Sequence, residues 1–164
     1  MKRGEMRILF VCKYNRFRSR VAEAYFNKIN KNNNFKAFSR GVIIGDYPLN
    51  RTEVSMAKKL GIDISGRPKG MEIELLKKID LVVIVADNVP KEVFYTTFKG
   101  RVIVWRIRDL EHGDGKDLIE RKIIRIMGKV RKLLKKLEKE SFRRRLKLNK
   151  KKAKEDHINR GNRK

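Results

Sequence analysis

Cys12 is the only cysteine of the chain; Arg18 follows six positions later and Ser19 stands beside it. A thiolate is a strong nucleophile, and a guanidinium offers parallel N–H groups that match two oxygens of a phosphoryl group. A hydroxyl next to the arginine could donate to the sulfur and make it a better leaving group. Together these residue types suit attack on phosphorus followed by release of a sulfur–phosphorus bond. Spacing alone is a weak signal. Lys and Arg fill 44 of the 164 positions, so a basic residue at any given offset is common. A buried structural cysteine with an arginine on a solvated helix face would give the same letters.

The flanking residues supply what spacing lacks. Ile8-Leu9-Phe10-Val11 is a short apolar run bounded by polar residues and reads as a buried strand. Val21, Ala24, Tyr25 and Ile29 recur at helical steps, which predicts a helix from about Arg18 to Asn30. Lys13, Tyr14, Asn15, Arg16 and Phe17 form the loop between them. A loop entering a helix N-terminus turns backbone N–H groups inward, and the helix dipole favours an anion there. With Ser19, these five residues are the candidate substrate-binding cradle, and Cys12 and Arg18 are candidate catalytic groups.

Further along, Phe35–Ser39 alternates as a strand, and Thr52–Leu60 reads as a helix closed by Gly61. Glu72–Lys78 reads as a short helix. Leu81–Val85 is apolar at every position, as in a strand covered on both faces. Val89–Phe98 is expected as a helix and Val102–Trp105 as a fourth strand. From about Lys116, Ile119, Ile123, Ile126, Met127, Val130, Leu133, Leu134 and Leu137 mark one helix face. Strands alternating with helices imply an α/β fold, a three-layer domain with a four-stranded parallel sheet.

The stretch Val11-Cys12-Lys13-Tyr14-Asn15-Arg16-Phe17-Arg18-Ser19 resembles the phosphate-binding loop of the low-molecular-weight protein tyrosine phosphatases, and of the arsenate reductases that share their fold. Cys12, Asn15, Arg18 and Ser19 match that pattern. Tyr14 replaces its usual glycine and Phe17 its frequent second cysteine. Lys59–Ser65, Asp80–Val83 and Trp105–Asp109 continue the likeness, which covers about Met6 to Leu137. The resemblance implies strand order 2-1-3-4, with Cys12 at the topological switch point. It implies a loop-fixing role for Asn15 and a general acid at Asp109, where Leu110 stands in place of the usual proline. Glu111, Asp114 and Asp117 are rival acids, and Asp87 reads as a supporting carboxylate. If the family's backbone is kept, Tyr14 is strained or the loop relaxes; its ring could also line the mouth. Residues 43–47, Tyr14 and Leu110 are candidate walls. His112 reads as solvated; no cofactor or metal is expected.

The implied activity is hydrolysis of phosphotyrosine or aryl phosphate esters through a phosphocysteine, on a phosphorylated protein or a small phosphate ester. An arsenate reductase would need an external thiol, since a relay of internal cysteines is impossible with one. A drifted, phosphatase-like binding protein for nucleic acid or a protein partner is the alternative from another class. The net charge of +25 attracts polyanions but says nothing about fold. Residues 141–164 carry eleven Lys or Arg against two Asp or Glu, a net of +9, while residues 1–140 keep +16. The expected division is therefore a phosphatase-like domain, 1–140, and a basic, disordered tail, 141–164, able to bind nucleic acid without sequence preference. No apolar run reaches the length of a membrane span, and the single cysteine suits a cytoplasmic setting.

Overall fold

In a computed structural model the described residues are 5–111 and 113–161, with only the backbone course described for 154–161. His112 lies outside them. The chain divides into two compact units, Met1–Val130 and Arg131–Lys164.

The first unit is built on four parallel strands: β1 (Met6–Cys12), β2 (Phe35–Gly41), β3 (Leu81–Val85) and β4 (Arg101–Trp105), in the order β2-β1-β3-β4. Cys12 pairs with Gly41 across β1 and β2, and Val11 with Ile84 across β1 and β3. Every residue of β3 is buried, as expected from its unbroken apolar run. Helices α1 (Arg18–Ile29), α2 (Arg51–Lys59) and α3 (Ile73–Leu76) connect the strands. Helix α1 buries Val21, Ala22, Tyr25 and Phe26, and Phe10 of β1 meets the rings of Phe26 and Trp105 at 5.9 Å each. Helix α4 (Lys116–Gly161) buries Ile119, Ile123, Ile126 and Val130 within this unit.

Two elements differ from the sequence reading. The helix expected over Val89–Phe98 is a single 3₁₀ turn, Lys91–Phe94. Pro90 stands at its N-terminal boundary, where a proline is tolerated, but the β-branched pair Thr96-Thr97 and then Gly100 follow, poor material for a longer helix. Residues 141–161 continue α4 as helix. No Gly or Pro lies between Lys129 and Arg160, and the Lys, Arg, Leu and Glu that fill the segment are good helix formers.

Because β1 is flanked by β2 on one side and β3 on the other, connections leave its C-terminal end in opposite directions. That opens a crevice beyond Cys12. Gly41 sits at the same edge. A Cβ there would lie 2.8 Å from the Tyr14 carbonyl carbon and 2.9 Å from the Asn15 nitrogen, so a glycine lets the loop after β1 lie against the end of β2.

Candidate active site

The loop of residues 13–17 leaves β1 and enters α1 at once. Helix α1 has no side-chain cap, unlike α2, where the Asn50 side chain accepts from the Thr52 and Glu53 N–H groups. The first N–H groups of α1 therefore keep their donors for another acceptor. Asn15 is the only non-glycine residue with positive φ among the described residues, at 54°. Tyr14, at the family's glycine position, does not share it, so the strain considered for Tyr14 does not arise. Its ring packs against Tyr47 at 4.4 Å, tilted by 49°, with the Lys13 ammonium 5.0 Å from its centroid, and it lines the pocket.

Asn15 is buried and its amide is fully used. Oδ1 accepts from the Lys69 backbone N–H at 2.9 Å, which sets the amide's orientation. Nδ2 donates to Ser19 Oγ and to Ser39 Oγ, each at 2.9 Å. The Ser39 hydroxyl in turn donates to Glu23 Oε2 at 2.5 Å. Ser19 Oγ accepts from Asn15 and lies 3.1 Å from Cys12 Sγ. A thiol and a hydroxyl can each donate to the other, but a thiolate can only accept, so the Ser19 hydroxyl is the donor whenever the sulfur is ionised. Cys12 is thus buried with a hydroxyl beside its sulfur.

Arg18 is 1% exposed and spans the crevice. Nη1 donates to Asp87 Oδ1 at 3.3 Å and to the Ile107 carbonyl at 2.8 Å. Nη2 donates to Asn88 Oδ1 at 3.1 Å and to Asp109 Oδ2 at 2.6 Å. Four of its five N–H donors meet acceptors from the loops after β3 and β4. Asp109 accordingly pairs with Arg18, while Arg108 pairs with Glu111. The Lys122 ammonium from α4 donates to the carbonyls of Arg108 and Asp109, at 2.7 and 2.9 Å, and pins the loop that carries Asp109.

A cavity of about 290 Å³ opens over Cys12. Arg16, Phe17 and Arg18 line it from the loop and α1, Asn50 and Glu53 from the start of α2, and Asp109, Leu110 and Glu111 from the loop after β4, with Tyr14 at its mouth. Of the residues read as a cradle, Tyr14, Arg16 and Phe17 face this cavity. Lys13 packs over Tyr14, and Asn15 and Ser19 lie beneath, holding the loop and the sulfur. Asp114 and Asp117 do not line it; Asp87 bonds Arg18 instead. Residues 43–47 do not line it either, although Tyr47 backs Tyr14. Among the described residues no cluster of metal-ligating side chains is present.

Sequence reasoning missed several participants. Glu23, Ser39, Asn88 and Lys122 act through distant pairings that no local pattern marks. Asn50 was detectable as a helix cap, three positions before Glu53. Glu53 is the only buried carboxylate among the described residues. Burial pushes its carboxyl above the ordinary glutamate value and the Asp109 charge adds to the rise, while Arg16 and Lys122 pull it back.

Residues 7–144 match the family described as low molecular weight phosphotyrosine protein phosphatase. The chain belongs to this family. A low molecular weight protein tyrosine phosphatase from T. tengcongensis is similar over 80% of this chain and 99% of its own, at 29% identity and a TM-score of 0.68. An arsenate reductase from Archaeoglobus fulgidus DSM 4304 matches at 26% identity over 77% of this chain and 98% of its own, with a TM-score of 0.62. The YwlE arginine phosphatase from Geobacillus stearothermophilus shares the fold, at 20% identity and a TM-score of 0.70 over 84% of this chain and 96% of its own. No curated protein matches the chain. This low-molecular-weight phosphatase has the α/β fold and strand order of its family, and it is a phosphate-ester hydrolase. Among its described residues no helix is long and apolar enough to cross a membrane.

Proposed function

We propose that this phosphatase hydrolyses phosphotyrosine or aryl phosphate esters by two displacements at Cys12. The observation that carries the reading is the 3.1 Å contact between Ser19 Oγ and Cys12 Sγ, which gives a thiolate at Cys12 a hydroxyl donor. Sγ attacks phosphorus and the ester oxygen leaves with a proton from Asp109. Water, giving its proton to the Asp109 carboxylate, then attacks the phosphocysteine, and the sulfur departs as a thiolate with the Ser19 hydroxyl stabilising its charge. The N–H groups of the loop and of the first turn of α1, with Arg18, hold the phosphoryl oxygens where charge collects. The Tyr14 ring, backed by Tyr47, suits an aryl leaving group at the cavity. The single cysteine leaves no internal thiol to relay oxidation, which weighs against arsenate reduction.

A nucleophilic thiolate keeps its activity in a reducing compartment, which supports a cytoplasmic setting. The basic segment 141–164 supports non-specific binding of nucleic acid, through phosphate contacts that do not involve the site.

The test is Cys12→Ser against an aryl phosphate such as p-nitrophenyl phosphate. Hydrolysis should disappear while the far-UV spectrum and melting curve stay those of a folded protein. Iodoacetate should inactivate the wild type, and inorganic phosphate should protect it. A serine variant that keeps a tenth of the wild-type rate removes Cys12 from the chemistry.

A further inference from the structure

The cavity over Cys12 is built to receive an anion, yet its wall includes a buried carboxylate residue. Glu53 is 8% exposed, on the first turn of α2. Its position three residues after the cap, Asn50, suggests a bland role, a capping box in which the glutamate reaches back to the cap's N–H. Only the Asn50 half of that box is made: Asn50 Oδ1 accepts from the Thr52 and Glu53 N–H groups, and no described hydrogen bond joins the Glu53 side chain to the Asn50 N–H. Glu53 lines the cavity.

The groups around it set its charge. From the loop after β4 come the carboxylates of Asp109 and Glu111, and from the loop after β1 comes Arg16. Arg18 of α1 lines the same cavity but is committed to Asp87, Asn88, Ile107 and Asp109. Lys122 of α4 is committed to the carbonyls of Arg108 and Asp109. Arg16 is therefore the cation nearest to being available, and its buried Nε has no protein acceptor. A phosphate group entering this space brings up to two negative charges beside a carboxylate already short of water. Like charges at that range, in a desolvated site, drive one of the acids to take a proton.

We propose that Glu53 takes up a proton as phosphate binds, and that its neutral carboxyl then donates a hydrogen bond to the bound phosphoryl group. The proton comes from solvent, and Arg16, released from the glutamate's charge, turns its unpartnered Nε to the anion. Glu53 is in this way a specificity-determining residue: it admits phosphate most readily when a proton accompanies it. This deepens the proposed phosphatase reading and rests on its placement of the phosphate over Cys12. The raised affinity of Glu53 for a proton supports it from the same geometry.

The test compares the full-length wild type with Glu53→Gln, whose amide mimics the neutral acid. Inorganic phosphate is titrated by calorimetry from pH 5.5 to 8.5. The ionisation of free phosphate is common to both proteins, so it cancels in the ratio of the two dissociation constants. Wild type and variant should agree at the acid end. Toward pH 8.5 the wild type should weaken relative to the variant by up to about tenfold per pH unit, because each unit costs it one proton to be recovered. Wild-type titrations in two buffers of different ionisation enthalpy should show more proton uptake than the variant. If the variant does not fold, wild-type proton uptake beyond that of phosphate and Cys12→Ser decides alone. A ratio independent of pH, or no extra uptake, overturns the proposal. Absence of aryl phosphate turnover with a pH-dependent ratio would count against the catalytic reading only; absence of phosphate binding overturns both.

Discussion

Asn15→Ala tests the claim that one buried amide holds the cradle together. The substitution removes the acceptor of the Lys69 N–H and the donors to Ser19 and Ser39. Three bonds at about 0.5–1.5 kcal/mol each give a loss of roughly 3 kcal/mol. The backbone contributes separately. At φ 54° an alanine side chain crowds its own carbonyl by about 1–2 kcal/mol, a cost that glycine escapes. Glycine loses about 0.4–1 kcal/mol of that advantage through the freedom it gives the unfolded chain. Asn15→Gly should therefore be less damaging than Asn15→Ala by about 0.5–1 kcal/mol, although both lose the same three hydrogen bonds. Urea unfolding followed by tryptophan fluorescence from Trp105 measures both. In a thermal scan a 3 kcal/mol loss lowers the midpoint by about 6–12 °C for a protein of this size. An alanine variant more stable than the glycine variant would refute the backbone part of the reasoning. A total loss below about 1 kcal/mol for both would refute the network part.

Asp109→Asn should lower turnover of a phenyl phosphate by about 10²–10⁴, the usual worth of a general acid, and by much less for a p-nitrophenyl ester whose leaving group needs little help. Should Glu111→Gln do the greater harm, Glu111 and not Asp109 carries the proton, and the Asp109–Arg18 pair is structural. Ending the chain at Glu140 should leave p-nitrophenyl phosphate turnover within about twofold, since no residue beyond 140 lines the cavity. If about five of the eleven basic residues beyond Glu140 meet phosphates, the truncation should also flatten the salt dependence of binding to a short single-stranded RNA. The slope of log K against log salt should fall by about 3–4. Equal slopes for the two proteins would show that the segment makes no phosphate contacts, and an equal residual affinity would place them on residues 1–140.

What was legible in the sequence is what is local. The strand Ile8–Val11, the helix after Arg18 and the loop between them follow from apolar period and from the polar break, because backbone hydrogen bonding and burial act over neighbours. The unbroken run of β3 read as a strand covered on both faces for the same reason. The 3₁₀ turn at Lys91–Phe94 was misread because Val89, Val93, Phe94 and Phe98 do repeat at helical steps. The pattern reports which side chains are buried, and it is silent on the poor helix propensity of Thr96, Thr97 and Gly100 unless that is weighed separately. Tyr14 shows a different limit. Reading it as a strained replacement for glycine assumed that the left-handed residue of the loop stood at position 14; the structure puts it at Asn15, whose short polar side chain tolerates that conformation and is bonded in it.

The holding of Arg18 lies beyond any such local signal. Its acceptors stand 69, 70, 89 and 91 positions away, in loops after two different strands, and one of them is a backbone carbonyl with no side-chain identity to read. Only the sheet order, which sets β3 beside β1 and β4 beyond it, brings those loops to one edge. The consequence is chemical. An arginine with four donors already engaged cannot grip two phosphoryl oxygens through Nε and an Nη unless it gives up one acceptor. Of the four, the Ile107 carbonyl is fixed by the backbone, where it also accepts from the Asp87 N–H at 3.2 Å. Asp87 and Asp109 are side chains, each about two-fifths exposed, and of the two only Asp109 lines the cavity over Cys12. On the proposed mechanism it is the partner to be exchanged, and exchange frees the same carboxyl that must take and deliver a proton. The clamp and the acid are thus coupled by the 2.6 Å bond between them. Arg18→Lys, which keeps the charge but loses the fork, should weaken phosphate binding and blunt the Asp109→Asn effect together.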